Sequence, residues 1–209
     1  MLRKWPYIIA VFTLVLFTVI IYTYEQPFVV QFDGAMNQLF FGNSFIEFFH
    51  IFGETKMIVI ISLILILSLW FRHRNYRGML FVVLAVGVGN GLNQLIKTLT
   101  ARPRPEMVDQ LTSFSLPSGH AMIGLLYLFT IAYILSEILN SRKTAVAIWI
   151  IALILVILTG LSRVSGSHHY ATDIIAGWCV GFTWFMIVVY WYESRKRKIN
   201  QLKTKESSL

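Results

Sequence analysis

Six long apolar runs, separated by short polar segments, limit the folds open to this chain of 209 residues. Each run approaches or reaches the ~20 apolar residues that an α-helix needs to cross a bilayer. Only 13% of the residues are charged, whereas a soluble domain has about a quarter. No stretch shows the alternation of apolar and polar residues that is typical of outer-membrane strands. These features predict one all-α polytopic membrane domain.

The six predicted transmembrane helices are the apolar runs themselves, at residues 7–24, 54–71, 78–96, 118–139, 145–161 and 171–192. The first run ends in Ile-Tyr-Thr-Tyr rather than at a small-residue cleavage site, so we retain it as a span. Residues 25–53 are mixed in character, and we expect short interfacial helices there, with apolar faces in lipid and polar faces in water. Residues 1–194 would form the membrane domain and residues 195–209 a basic cytoplasmic tail, disordered beyond its first turns.

Positive charge is distributed unequally between the two sides that six spans define. Thirteen of the 18 Lys and Arg residues fall on the side that holds both termini. The positive-inside rule makes this side the cytoplasm. Four others, Lys97, Arg102, Arg104 and Arg163, lie in or beside the polar outer segments, against the rule. The net charge of +8 therefore indicates membrane topology rather than binding to nucleic acid.

A polar segment at residues 162–173 separates the last two runs and contains an Arg, two His, an Asp and three Ser. Ionisable groups at membrane depth are costly and usually face the protein interior or a water-filled cavity. His169 and Asp173 are four residues apart, which places them on one face of a helix. Asp173 would then accept a hydrogen bond from one ring nitrogen of His169 and leave the other free, as in an activated imidazole.

Three polar segments meet on the outer face if the chain has six spans: residues 97–105, 117–120 and 162–173. They bring three or four cations, together with His120 and His169, to the N-terminus of the fourth span. Arg supplies bidentate donors to phosphate oxygens, and Lys supplies a point charge. The free amides of Ser118 and Gly119, at the positive end of the helix dipole, would complete an anion cradle. The segments therefore predict a phosphate-binding site.

The same segments resemble the three motifs of the type 2 phosphatidic acid phosphatase superfamily. Its first motif is Lys, six residues and Arg-Pro, which fits Lys97 to Pro105. Its second, Pro-Ser-Gly-His, fits residues 117–120, and its third, Ser-Arg, five residues, His, three residues and Asp, fits residues 162–173. All three occur in order, and the chain is most similar to the small bacterial lipid phosphatases of the phosphatidylglycerophosphatase B type.

The resemblance implies a lipid phosphatase that works through a phosphohistidine. His169 would be the nucleophile, Asp173 would hold its other ring N–H, and His120 would protonate the leaving alkoxide. The groups that bind the phosphoryl oxygens would be Lys97, Arg104, Arg163 and the amides of Ser118 and Gly119. No metal or other cofactor is expected, because fixed cations would stabilise the charge on the transferred group. The expected partners are a lipid phosphate or pyrophosphate and membrane lipids, with no nucleic acid and no obligatory protein.

The sequence leaves open the roles of Arg102 and His168, the identity of the substrate, and a rival function. Spacing favours Arg104 over Arg102, which either binds a headgroup or the substrate or is solvated. His168 would point about 100° away from its neighbour on a helix, as a rim or packing residue. The substrate would be phosphatidylglycerol phosphate, undecaprenyl pyrophosphate or phosphatidic acid, taken at the outer face of the plasma membrane. The rival is a non-catalytic membrane protein that binds or moves phospholipids.

Overall fold

The computed structural model describes residues 4–106, 113–139 and 141–206. Within these ranges every regular element is helical, as the sequence predicts. Arg3, residues 107–112 of the predicted outer loop and the last three residues of the predicted tail lie outside them.

The described residues contain six candidate spans, if one bent pair of helices is counted as a single span. In chain order the elements are α1 (Trp5–Thr23), α2 (Pro27–Phe40), α3 (Ser44–Phe48), a 3₁₀ turn (Phe49–Gly53), α4 (Thr55–His73), α5 (Tyr76–Val82), a π-helical stretch (Val83–Val88), α6 (Gly89–Thr100), α7 (Gly119–Ile138), α8 (Arg142–Ser165) and α9 (Ala171–Glu206). Among the described residues, five helical segments are long and apolar enough to cross a membrane by themselves. The sixth span is α4 together with the short helices before it, from which it is bent by 50°.

Helices α7 and α9 form the centre of the bundle. The apolar window of α7 is 67% buried and that of α9 61%, against 17% for α1. Two glycines let α9 approach α7 closely. A Cβ at Gly177 would lie 2.9 Å from the carbonyl oxygen of Ser118, and one at Gly181 would lie 3.2 Å from that of Met122. This packing brings the start of α7 to the start of α9, at the end of the bundle where α6 stops; we call this the motif end.

The segment between the first two spans folds into short helices, as predicted, but not all of its polar side chains are in water. Asp33 is 3% exposed, and Asn37 donates to Oγ of Ser167 at 2.9 Å. The amide of Gly42 donates to the carbonyl oxygen of Ser165 at 3.1 Å. Buried polar groups need partners, and the turn between α8 and α9 supplies them. The expectation of a solvated polar face is therefore wrong for Asp33 and Asn37, and α2 and α3 cover the motif end.

The third span (Tyr76–Thr100) is continuous but contains the π-helical stretch Val83–Val88. In such a stretch the hydrogen bonds join residues five apart, and single π turns within α-helices are frequent at functional sites. The indole N–H of Trp184 donates to the carbonyl oxygen of Leu84 at 3.0 Å. This bond fixes the π-helical stretch against α9, so that α6 rises from a defined point to carry Lys97 to the motif end.

The basic tail is helical as far as Glu206, whereas the sequence predicts that the tail is disordered beyond its first turns. It continues α9 without interruption, at the opposite end of the bundle where α7 stops; we call this the tail end. Lys196 forms a salt bridge with Glu137 of α7, and Lys, Arg, Gln and Glu are strong helix formers. The prediction of disorder is therefore wrong for the described part of the tail.

Candidate active site

The three predicted motifs converge at the motif end around one cavity of about 340 Å³. The cavity lies between α4, the third span, the start of α7, the end of α8 and the turn before α9. Its lining includes six of the eight predicted site residues: Lys97, Arg104, Gly119, His120, Arg163 and His169. The other two, Ser118 and Asp173, are fully buried behind that lining.

His169 lies in the turn before α9 rather than on a helix. Its Nδ1 is 3.3 Å from Oδ2 of Asp173. The same carboxylate oxygen accepts from the backbone N–H of Tyr170 at 3.0 Å, as in a capping box that closes the first turn of a helix. The predicted helical face is therefore wrong, although the predicted pair forms. Because one carboxylate caps α9 and also holds the ring, the start of the helix sets the position of His169.

The hydrogen-bond partners of His169 assign its tautomer. NH1 of Arg104 lies 3.1 Å from Nε2, and a guanidinium group can only donate. Nε2 must therefore present a lone pair, and Nδ1 carries the proton that Asp173 accepts. The Ser115 hydroxyl lies 3.2 Å from Nδ1 and donates to Oδ2 of Asp173 at 2.5 Å. The basic nitrogen is thus the one beside the Arg104 guanidinium.

The environment keeps this imidazole neutral. Burial lowers the pKa of His169 to about 4, and the nearby charges of Arg104 and Lys97 act in the same direction. Asp173 acts in the opposite direction but is outweighed. Burial also lowers the pKa of the Arg104 guanidinium, which remains charged because its ordinary value is so high. At neutral pH the site therefore presents an uncharged nitrogen base to a fixed cation.

Three cations line the cavity without a carboxylate partner. Lys97 donates through Nζ to the carbonyl oxygen of Phe114 at 2.7 Å, and Arg104 donates through Nε to that of Ser113 at 2.7 Å. Nε of Arg163 is buried and has no hydrogen-bond partner among the described residues. Within the same part of the chain, none of the three cations forms a salt bridge. Fixed positive charge of this kind is suited to an anion with several oxygens.

Ser118 and Gly119 play different parts at the start of α7. Oγ of Ser118 caps the helix by accepting from the amide of Ala121. The Ser118 amide donates to the carbonyl oxygen of Asp173 at 3.1 Å, so the close packing of α7 on α9 occupies an amide that was expected to bind phosphate. Gly119 lines the cavity. Its amide precedes the first bond within the helix, from Met122 to Ser118, and is therefore available to an anion.

His120 follows on the first turn of α7 and lines the same cavity as His169. Its ring packs against Gly53, at the end of the 3₁₀ turn, where an added Cβ would collide with the imidazole. The absence of a side chain at Gly53 thus leaves the ring room to sit against this bend. The arrangement places two imidazoles on one cavity, as general acid–base chemistry beside a nucleophile requires.

Arg102 is neither solvated nor part of this cavity. It is 5% exposed and bridges two carboxylates. Its NH1 donates to Oδ1 of Asp173 at 2.7 Å, and its NH2 donates to Oδ2 of Asp33 at 2.9 Å. The expectation of a solvated side chain is therefore wrong, and both terminal nitrogens are engaged by the protein itself.

His168 is a packing residue. Its ring lies against Gly166, where an added Cβ would be 2.8 Å from Cδ2 of the imidazole, and it is absent from the lining of the 340 Å³ cavity. Its carbonyl oxygen accepts from NH1 of Arg104 at 2.8 Å. Burial, with the charges of Arg163 and Arg104, lowers the pKa of His168 to about 4. Only the backbone of His168 thus contributes to the site.

Two residues of the site were not predicted. Asp33 lies on α2, where its only signal is a lone carboxylate in a largely apolar segment. Ser115 lies in the loop before α7 and belongs to none of the three motifs. Both act on Asp173 from elements distant in the sequence, and spacing along one chain does not encode such contacts.

Comparisons with known proteins agree with this geometry. The sequence model of the PAP2 superfamily matches residues 78–197, which include all three motifs. Phosphatidylglycerophosphatase B of Bacillus subtilis (strain 168) is 31% identical over 150 residues, which cover 69% of this chain and 72% of that protein. Among solved structures, the crystal structure of the first transmembrane PAP2 type phosphatidylglycerolphosphate phosphatase from Bacillus subtilis superimposes with a TM-score of 0.81. That match has 25% sequence identity and covers 88% of this chain and 96% of that chain.

Proposed function

The chain belongs to the PAP2 superfamily and is a membrane lipid phosphatase, and we propose that it hydrolyses phosphatidylglycerol phosphate through a phosphohistidine at His169. The family predicted from the three motifs is confirmed, and the non-catalytic rival is set aside. The observation that carries the mechanism is the tautomer of His169. Its Nδ1 proton is held by Asp173, and its Nε2 lone pair lies beside Arg104.

The reaction would proceed in two displacements at phosphorus. In the first, Nε2 of His169 attacks, the P–N bond forms and the P–O bond to the lipid breaks, while His120 donates a proton to the leaving oxygen. Asp173 stabilises the positive charge that develops on the ring. In the second, water attacks the phosphohistidine, His120 accepts a proton from it and the P–N bond breaks. Inorganic phosphate leaves, and both histidines return to their starting states.

The unpaired cations would bind the phosphoryl oxygens. Negative charge is spread over the equatorial oxygens during phosphoryl transfer, and preorganised donors in a site shielded from water stabilise it best. Lys97, Arg104 and Arg163 supply three such donors, and the Gly119 amide supplies a fourth. The Arg104 donor that now bonds to Nε2 would pass to the phosphoryl group as it binds. These fixed charges would do the work that a divalent cation does in other phosphatases.

The lipid would enter the cavity sideways from the bilayer. The cavity extends from the histidines to a mainly apolar wall on α4 and the third span, formed by Thr55, Ile58, Val59, Val86 and Gly87. A leaving group in line with Nε2 would lie on this side of the phosphate, where His120 can reach its oxygen. Acyl chains attached to that leaving group would then extend between the two spans into the membrane.

Two amides on the wall of the cavity support a glycerol-based lipid over a prenyl pyrophosphate. Asn90 and Gln94 line the cavity and are four residues apart on α6, hence on one face. At 1.5 Å per residue they lie about 15 Å and 9 Å before Thr100 along the helix. An amide that faces hydrocarbon without a partner is costly. Ester carbonyls and hydroxyls just below a phosphate would satisfy these amides, whereas a prenyl chain offers them nothing.

The distribution of Lys and Arg supports an active site that faces outward, with both termini in the cytoplasm. A test uses chains in which the buried Cys179 is replaced by Ala and one cysteine is added at an exposed position. Glu106 lies near the motif end, and Ser141 lies in the turn before α8. In intact cells an impermeant maleimide should label Glu106→Cys and spare Ser141→Cys. The opposite pattern would place the site in the cytoplasm.

The covalent intermediate provides the central experiment. Purified protein is incubated with lipid phosphate labelled with ³²P, in detergent and with a chelator, then quenched rapidly. We expect a label on the protein that is stable to base and labile to acid, as a P–N bond is. It should be absent from His169→Ala and present in His168→Ala. An unlabelled wild-type chain that still releases phosphate would overturn the phosphohistidine, and loss of turnover in the chelator would overturn metal independence.

Substrate choice is tested by replacing the two wall amides together. For Asn90→Leu/Gln94→Leu we expect KM for phosphatidylglycerol phosphate to rise about tenfold, the effect of losing one to two hydrogen bonds. KM for undecaprenyl pyrophosphate should stay within about twofold, because its prenyl chain makes no use of the amides. Equal changes for the two lipids would show that the amides do not select the substrate.

A further inference from the structure

Arg102 joins two carboxylates that come from different parts of the chain. Besides Asp33 and Asp173, its NH1 donates to Oγ1 of Thr172 at 2.8 Å. Its guanidinium lies between two aromatic rings, 4.1 Å from the ring centre of Tyr170 and 4.9 Å from that of Tyr24. A planar cation held on its faces by rings and at its edge by carboxylates has one orientation. Arg102 is therefore a fixed connector rather than a mobile ligand for substrate.

Asp33 binds the first turn of α9 directly as well. Its Oδ1 accepts from the amide of Thr172 at 2.8 Å, and its Oδ2 accepts from the hydroxyl of Thr172 at 2.7 Å. The interfacial helix α2 is thus attached to α9 at the residue before Asp173. The two oxygens of Asp173 have different partners. Oδ1 accepts a hydrogen bond from Arg102, and Oδ2 accepts one from Nδ1 of His169.

We propose that Asp33 and Arg102 form a positioning clamp that sets the orientation and the effective charge of Asp173, the carboxylate that supports His169. The inference rests on the proposed role of His169 as nucleophile. Asp33, Arg102 and Asp173 together carry one net negative charge. That charge balances the imidazole when it becomes positive during phosphoryl transfer. Neither clamp residue lines the 340 Å³ cavity, although both line a separate cavity of about 640 Å³ that also reaches His169, and the proposal is that they act through Asp173.

The charges around His169 make the clamp measurable. The cations Arg104 from the loop before α7, Lys97 from α6 and Arg163 from α8 surround it, together with the titratable ring of His120 from α7. Among the described residues, Asp173 is the carboxylate that contacts the ring. The basicity of His169 therefore depends on how completely Arg102 neutralises Asp173.

Removing the cation should raise that basicity. In Arg102→Met, two carboxylates lose their shared counter-charge, so Asp173 favours protonated His169 more strongly. The acid limb is the part of the pH profile in which kcat/KM falls as His169 becomes protonated. We expect its midpoint to move up by about one pH unit, the size of shift that one nearby charge produces. We also expect kcat to fall at least tenfold, because the carboxylate is no longer held, with KM unchanged.

Two matched variants separate charge from geometry. Arg102→Lys keeps the charge but loses the planar fork, so kcat should fall while the acid limb stays at its wild-type position. Arg102→Met/Asp33→Asn restores one net negative charge, so the acid limb should return towards wild type while kcat stays low. If Arg102→Met does not fold, Asp33→Asn alone tests the opposite sign, since it leaves Arg102 entirely to Asp173. Its acid limb should then lie at or below that of the wild type.

The outcomes distinguish the clamp from the function on which it rests. A wild-type chain that forms no labelled phosphohistidine would remove the proposed mechanism itself. Suppose instead that the wild-type chain forms the phosphohistidine, but that the acid limbs of all variants coincide while kcat and melting temperature fall together. The clamp would then be a purely structural contact. A raised KM with unchanged kcat in Arg102→Met would make Arg102 a substrate ligand. Either of the last two results overturns the inference.

Discussion

The two ends of the helical bundle both carry buried or half-buried charges, but they differ in how far the protein itself supplies partners for those charges. At the tail end, Glu137 accepts a hydrogen bond from the hydroxyl of Tyr192 at 2.8 Å and forms a salt bridge with Lys196. Glu193 accepts from the hydroxyl of Tyr133. These contacts join α7 to α9, and each carboxylate is supplied with donors from the protein.

At the motif end, positive charge exceeds the negative charge available to pair with it. Arg102 is paired twice, whereas Lys97, Arg104 and Arg163 form no salt bridge within the described part of the chain. A polar cluster that satisfies itself stabilises helix packing. A cluster with surplus charge is stabilised only when a ligand of opposite charge arrives, so the site contributes least to the stability of the free protein.

The sharpest test of this contrast removes the proposed nucleophile. His169→Ala should reduce kcat by at least ~10³-fold, because a residue that is to form the covalent intermediate has no substitute. The melting temperature in detergent should change little, since Ser115, Tyr170 and Arg102 still satisfy Asp173. His168→Ala is the matched control and should keep near wild-type turnover. Full turnover in His169→Ala would mean that the motif end is not where the chemistry occurs.

Removing an unpaired cation should separate activity from stability. In Arg163→Met, loss of one donor to the transferred group should lower kcat about 10²-fold. The free energy of unfolding should stay the same or rise, because a desolvated charge without a partner disappears. Arg102→Met is the contrasting variant, since a broken buried ion pair costs about 3–5 kcal/mol. Equal losses of stability in the two variants would contradict the distinction between paired and surplus charge.

The pH profile should reflect the buried, neutral state of His169. With its pKa lowered to about 4, the ring loses its lone pair only in strong acid. We therefore expect kcat/KM to fall about tenfold per pH unit below pH 4 and to level off above it. Phosphate release measured between pH 3 and 9 checks this. An acid limb near the ordinary value of 6.5 would indicate a solvated imidazole.

The smallest effect on turnover is expected at the tail end. Glu137→Gln should lower the free energy of unfolding by about 1–2 kcal/mol, as for loss of a charged hydrogen-bond partner, and change kcat less than twofold. Lys198→Ala, an exposed basic residue on the same tail, is the control and should change neither. A large loss of kcat in Glu137→Gln would show that the two ends are coupled through α7 and α9.

The sequence predicts the parts of this molecule that depend on local pattern. Six apolar runs predict six spans, and three motifs contain six of the residues that line the cavity. What it does not predict are contacts between distant elements. Asp33 reaches Asp173 through Arg102, across 69 and then 71 residues of chain, and no periodicity records that path.

Local geometry at helix ends also escaped prediction. His169 and Asp173 have helical spacing, yet the ring precedes α9 because Asp173 turns back to cap the helix. The Ser118 amide is used by α9, since two glycines let the helices approach until backbone meets backbone. In both cases the sequence identifies the residue. The packing of α7 against α9 determines which of its atoms are free to take part in the site.

The π-helical stretch Val83–Val88 has a consequence for how this chain tolerates deletions. Each π turn holds one residue more than an α turn, so the stretch shifts the angular phase of everything that follows it. Deleting one residue there would restore an unbroken α-helix and turn α6 by about 100°. Lys97 and the cavity amides would then face away from His169. Several apolar residues of this span look interchangeable in the sequence. Deleting one of them should nevertheless reduce activity as much as removing Lys97 itself.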